Sequence, residues 1–227
     1  MLARIEALAN PRNAAGMARF GIKVGGRYGL SVPQMRGIAK TAGRDHALAL
    51  DLWATGHAEA RIIACMVEDP ALVTSRQADV WARGIDSWDV CDGFAYDLMS
   101  RTPMRWAKPA VWERSKHEFV RRAAFALIAG LAAHDKQASD AAFVALLPLI
   151  KSASTDERNF VKKAVNWALR GAGKRNLPLN RAAIAAAKEI RALDSRSARW
   201  IAADALRELT GDAVQRRLRA KTGGRRA

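Results

Sequence analysis

Glycine and proline cut this chain into short segments, and between the cuts apolar residues recur at three- and four-residue spacing. That cadence constrains the fold more than any other feature. A period of 3.6 specifies amphipathic helices, and the breaks fix where each one stops. Pro11, Gly21, Gly25, Gly26 and Gly29 mark a loop-rich beginning. Pro33 suits the first turn of a helix, with Ser31 just upstream as its cap. Helices are then expected over 46–55, ended by Gly56; over 58–68, ended by Asp69 and Pro70; over 72–83, ended by Gly84; and over 88–99, bounded by Asp86, Ser87 and Pro103. Segment 118–134 places Phe119, Ala123, Leu127, Ile128 and Leu131 at helical spacing. Segments 141–151, 157–170, 181–193 and 195–209 complete the set, and the last two are joined so tightly that they must be antiparallel neighbours.

Short helices of about 10–16 residues joined by short turns imply an all-α fold. Their pairing suggests a HEAT-like or armadillo-like helical repeat array, an α-solenoid whose curved concave face is basic. A compact helical domain without repeats is the alternative, since no self-similarity is visible. With 227 residues and no linker-like stretch, a single domain over 1–220 is expected, followed by a basic flexible tail over 221–227. The basic run from Arg216 through Arg226 reads as a frayed end that touches phosphates without specificity.

The net charge is +16, from 38 Lys and Arg against 22 Asp and Glu. A surface so basic attracts a polyanion, and nucleic acid is the commonest one. Cys65 and Cys91 have no CxxC partner and the four histidines are scattered, so neither a zinc site nor another metal is expected, and no cofactor. Both cysteines are expected as small buried thiols. No signal-peptide pattern and no membrane-length apolar run is present, which points to the cytoplasm and the nucleoid.

Three segments could carry chemistry. In Ser87-Trp88-Asp89-Val90-Cys91-Asp92, Trp88 and Asp92 are four residues apart and share a helix face. Asp89 is displaced from that face, where it suits capping the helix start. A core tryptophan with an ion-paired aspartate fits the same spacing. In 157–170, Phe160, Val161, Ala164, Val165, Ala168 and Leu169 form an apolar stripe. Lys163, Trp167, Arg170 and Lys174 line the opposite side, a cationic stripe with an aromatic inside it that suits nucleic acid. In 118–127, Arg121 and Arg122 abut an otherwise apolar helix, so one of them faces a partner or a cleft. Trp53, Trp81, Trp106, Trp112 and Trp200 read as packing residues. Gly25-Gly26-Arg27 lacks the strand and the following GK[ST] of a phosphate-binding loop.

Five stretches in order resemble the AlkD-like family of DNA alkylation repair glycosylases. They are Tyr28-Gly-Leu-Ser-Val-Pro-Gln-Met-Arg36; His46-Ala-Leu-Ala-Leu-Asp-Leu-Trp53 followed by Glu59-Ala-Arg-Ile-Ile-Ala64; Ser87-Trp-Asp-Val-Cys-Asp92; Phe119-Val-Arg-Arg-Ala-Ala124; and residues 157–170. The resemblance implies HEAT-like helix pairs with DNA against a basic face. It also implies active-site residues Trp88, Asp92, Arg122 and Trp167, with Arg121 adjacent and Arg122 preferred because small and apolar residues follow it directly. Arg121, Lys163, Arg170 and Lys174 would then contact DNA.

The implied reaction is hydrolytic release of positively charged N3- or N7-alkylated purines in base excision repair, by a monofunctional glycosylase. Such a base leaves neutral, so no strong general acid is needed and one carboxylate could stabilise the oxocarbenium-like sugar and position water. Arg122 could hold a phosphate or orient Asp92. The expected partner is double-stranded DNA containing alkylated bases, bound by a monomer without membrane or metal. The alternatives are a non-catalytic HEAT-repeat protein that binds branched or distorted DNA, and a protein-binding HEAT scaffold.

Overall fold

A computed structural model describes residues 1–23 and 25–223. Among them there is no strand, and the helices run α1 Leu2–Glu6, α2 Pro11–Gly16, α3 Val32–Ala42, α4 His46–Ala54, α5 Ala58–Val67, α6 Ser75–Gly84, α7 Trp88–Gly93, α8 Lys108–Trp112, α9 Glu118–His134, α10 Asp140–Val144, α11 Leu147–Ala153, α12 Asn159–Gly173, α13 Leu177–Arg191, α14 Arg196–Thr210 and α15 Asp212–Gly223. The chain clusters into two compact units, Met1–Arg105 and Trp106–Ala227.

Local chemistry sets the helix starts. Ser31 and Gln34 form a reciprocal capping box on α3, with Pro33 in its first turn. The Asp45 side chain accepts the Leu48 N–H, and the Asn176 side chain accepts the Leu179 N–H. Where the boundaries differ from the sequence expectation, a cap or a proline explains it. The 72–83 segment begins only at Ser75, because Thr74 accepts the Gln77 N–H. The 141–151 segment is two helices, with Pro148 in the first turn of α11. α13 starts at Leu177, four residues early, because Asn176 caps it and Pro178 fits its first turn. Segment 88–99 is α7, then a π-turn over Phe94–Leu98 and a 3₁₀ turn over Met99–Arg101. The loop-rich beginning holds α1, α2 and a 3₁₀ turn over Met17–Phe20.

In the first unit α5 is the central element, packed against α1, α3, α4 and α7. Ala60, Ile62, Ile63, Ala64, Cys65 and Val67 are all buried, so the helix is apolar on nearly every side, as a core helix must be. Trp53 and Trp81 stack beside it, with ring centroids 4.1 Å apart. Gly29 approaches α2 so closely that a Cβ would lie 2.3 Å from the Asn10 carbonyl oxygen, and its φ of 77° favours glycine as well. Its N–H donates to the buried Glu59 carboxylate at 2.9 Å.

In the second unit α9 plays the central part. Ala123 through Ala132 are buried, and α12 packs along the helix. Alanines on α9 and Gly171 on α12 bring the two backbones close. α13 and α14 pack as the expected hairpin across their short turn. Arg175, between α12 and α13, donates to the Ala132 carbonyl in the last turn of α9 and to the Ala138 carbonyl just before α10, and lies 4.2 Å over the Phe143 ring.

The C-terminal run corrects one expectation. Arg216, Arg217, Arg219 and Lys221 belong to α15 instead of a frayed end. The reason is packing: Val214 and Leu218 are buried, and Gln215 donates to Asn180 and to the Leu209 carbonyl. Residues 224–227, which include Arg225 and Arg226 of the expected tail, lie outside the described residues. Cys65 and Cys91 are both buried as thiols, as expected, and neither is in a disulfide. Trp53, Trp81 and Trp112 are buried, whereas Trp200 is exposed beneath the Lys162 ammonium, 5.3 Å from its ring.

Candidate active site

Trp88 and Asp92 both stand on α7, one turn apart and each half-buried. The helix holding them is short, and its start is secured by the segment before α3. The Trp88 indole N–H donates to the Phe20 carbonyl at 3.0 Å, which fixes the ring orientation. The Arg27 guanidinium donates to both oxygens of Asp89 and to the Ser87 hydroxyl. Its Nε donates to the Lys23 carbonyl at 2.9 Å, which locks the fork in place. A bidentate arginine–carboxylate pair is the strongest ordinary ion pair. Here it is well shielded, with the two side chains 3% and 18% exposed. Lys23 adds an exposed pair with Asp86 at 3.2 Å, a minor contribution. Asp89 therefore anchors the start of α7 through Arg27, and Asp92 is the carboxylate that shares the Trp88 face of α7.

Arg27 is the residue that sequence reasoning missed. In sequence, Gly25-Gly26-Arg27 offers only a glycine pair without the context of a phosphate-binding loop. The Arg27–Asp89 pair spans 62 positions, so no local pattern signals it. The π-turn that follows Gly93 is a second unforeseen feature. It continues α7 with a changed helical phase, a distortion frequent near functional positions.

Arg122 and Trp167 belong to the second unit, on α9 and α12, which pack against each other. The two adjacent arginines have distinct environments. Arg122 is buried and donates from Nη1 to the Phe160 carbonyl at 2.8 Å. Arg121 pairs with Asp156 at 2.9 Å and sits 3.7 Å from Glu113. Arg158 closes the same cluster on Asp156. Burial alone would raise the Asp156 carboxyl, but the Arg158 hydrogen bonds and the Arg158 and Arg121 charges hold it below its ordinary value.

The cationic stripe of α12 divides in two. Lys163 is exposed and Trp167 half-buried. Arg170 instead turns to α14, pairing with Glu208 at 2.6 Å and Asp204 at 3.4 Å. Lys174 also reaches Glu208, at 2.7 Å. Partial burial would raise the Glu208 carboxyl, yet the Lys174 hydrogen bond and the Arg170 and Lys174 charges hold it low. The charges of Arg121, Arg170 and Lys174 are thus each matched within the unit, whereas Lys163 projects outward. Of the apolar stripe, Val161, Ala164, Val165, Ala168 and Leu169 are fully buried as expected, whereas Phe160 is half-buried, 5.5 Å from the Phe119 ring.

Among the described residues, no cluster of three or more His, Cys, Asp or Glu side chains could hold a metal ion. Among the same residues no helix is long and apolar enough to cross a membrane.

The profile of a family described as "DNA alkylation repair enzyme" matches residues 1–209. A solved structure described as "a new family of proteins related to the HEAT-like repeat DNA glycosylases with affinity for branched DNA structures" superposes with a TM-score of 0.74. That likeness covers 83% of this chain and 80% of the other at 24% identity. It establishes the fold as a HEAT-like helical repeat. No protein with a curated description matches the chain.

Proposed function

The chain belongs to the DNA alkylation repair enzyme family, and on that premise we propose that it is a monofunctional DNA glycosylase releasing N3- and N7-alkylated purines. The observation that carries the reading is the pairing of Trp88 with Asp92 on α7, the indole tethered through its N–H and the carboxylate one turn away. A purine alkylated at N3 or N7 bears a positive charge and departs as a neutral base. The remaining demand is stabilisation of a cationic sugar and placement of a water. An aspartate supplies both, and a tryptophan face attracts the cationic nucleotide by about 0.5–2 kcal/mol. The resemblance adds Arg122, to hold a backbone phosphate or orient Asp92, and Trp167, whose π face would meet the cationic nucleotide. The +16 charge supports DNA as the substrate carrier.

The decisive experiment incubates the protein with duplex DNA containing N7-methylguanine and measures free base and abasic sites. Asp92→Asn should fold and bind DNA while release falls about 10²–10³-fold, the usual loss when transition-state charge is left unstabilised. Near-wild-type release by that variant refutes the assignment.

A second reading, a non-catalytic binder of branched DNA, is favoured by the description of the structural neighbour. It predicts preferential affinity for branched over linear duplexes and no base release by the wild-type protein.

A further inference from the structure

A recess of about 320 Å³ opens in the first unit, lined by α3, the end of α5, the π-turn and the 3₁₀ turn after it. Four cations reach it, Arg36, Lys40, Arg44 and Arg101, against one carboxylate, Asp97. Arg36, Lys40 and Arg44 recur at every fourth position. Of these, Arg36 and Lys40 stand one turn apart on α3, where like charges repel one another and do not add to helix stability. Gly43, with φ of 73°, ends α3 and turns the chain so that Arg44 still borders the recess. Arg44 is held there by donating to the Glu68 backbone carbonyl. Arg36, Lys40 and Arg101 are exposed, and among the described residues none has an acidic side chain within ion-pair distance. This contrasts with α12, where Glu208 neutralises Arg170 and Lys174. Met66 and Ala39 give the recess an apolar side.

We propose that this recess seats a phosphate of the DNA backbone, with Arg36, Lys40 and Arg101 as its ligands and Arg44 as a fixed wall. The first unit thereby has a DNA foothold of its own, outside the Trp88–Asp92 face and the α12 stripe. The proposal rests on DNA being the substrate carrier, but not on base release. Three cations converging from two elements match the charge and the several acceptor oxygens of a phosphate. Like other backbone contacts, the recess would position the protein without reading sequence.

The test compares the wild-type protein with the triple variant Arg36→Gln, Lys40→Gln, Arg101→Gln, using a short undamaged duplex with and without a 5′-phosphate. A control variant, Arg181→Gln, Lys188→Gln, Arg191→Gln, removes the same formal charge from exposed positions on α13. The recess variant should bind more weakly and show a salt slope shallower by about 0.9 per phosphate vacated. With one phosphate, its deficit against wild type should shrink about 3.5-fold over a fourfold rise in salt. The control variant should keep the wild-type slope. An equal effect on duplexes with and without the 5′-phosphate marks an internal phosphodiester, whereas dependence on the 5′-phosphate overturns the backbone assignment in favour of a strand end. An unchanged slope in the recess variant, or an equal change in the control, overturns the proposal. Circular dichroism checks the fold, and the single variant Arg101→Gln, at an exposed position in the 3₁₀ turn, should give a smaller shift of the same sign. A wild-type protein that releases no base yet shows the recess-dependent slope would refute the glycosylase reading and leave the recess standing.

Discussion

Arg27→Ala is the perturbation that best probes how the candidate site is held. The substitution removes a guanidinium whose side chain is 3% exposed and leaves Asp89, 18% exposed, without its cation. Breaking a buried pair from one side costs about 3–5 kcal/mol. Asp89 retains the Ser87 hydroxyl and some solvent, so a loss of about 2–4 kcal/mol is expected. The segment carrying Phe20 also loses its main fastening to α7, so amides at the start of α7 should exchange faster. Urea titration of wild type, Arg27→Ala, Asp89→Ala and the double variant measures the pair directly. The double variant should be less destabilised than the sum of the singles, with a coupling energy of about 1–3 kcal/mol. Strict additivity would refute the reasoning, because it would mean that Arg27 acts through packing of its stem and not through Asp89.

Three further outcomes follow from the second unit. Lys163→Ala should weaken duplex binding and flatten its salt slope by about 0.9, whereas Lys174→Ala should do less, because Glu208 already matches that charge; equal effects would count against the division of the α12 stripe. Gly173→Ala should destabilise by about 1–3 kcal/mol in urea, since a Cβ there would meet Leu209 at 2.8 Å and Ala183 at 2.9 Å. The carboxyl of Glu208 is lowered in the folded protein from its ordinary 4.5, so its contribution is complete above that value and is lost as pH falls through the lower folded value. Urea midpoints taken between about pH 6 and about pH 3 should therefore fall with acidification, and less so in Glu208→Gln; an equal fall in that variant would assign the effect to other carboxylates.

The candidate site was legible to unequal degrees. Trp88 and Asp92 could be placed on one face from their spacing alone, since a single helical turn relates them. The neighbouring arginines could not be separated by sequence, because Arg121 and Arg122 differ in which distant groups they meet: Asp156 for one and the Phe160 carbonyl for the other. The α12 stripe was visible as a row of residues, but the engagement of Arg170 and Lys174 was not, because Glu208 lies 38 and 34 positions away.

What the sequence by itself determined is the helical cadence. Ser31, Asp45 and Asn176 cap through bonds within one turn, prolines sit where a missing N–H costs nothing, and apolar stripes mark buried faces. These are local interactions, so residues near in sequence encode them. What the tertiary structure alone decided is which charges are spent and which remain. Arg27 is consumed by Asp89, Arg121 by Asp156 and Arg170 by Glu208, whereas Arg36, Lys40 and Arg101 meet around a recess with a single carboxylate. Every one of the three ion pairs joins elements far apart in the chain. An electrostatic partner is fixed by distance in space, and only packing of the buried faces sets that distance.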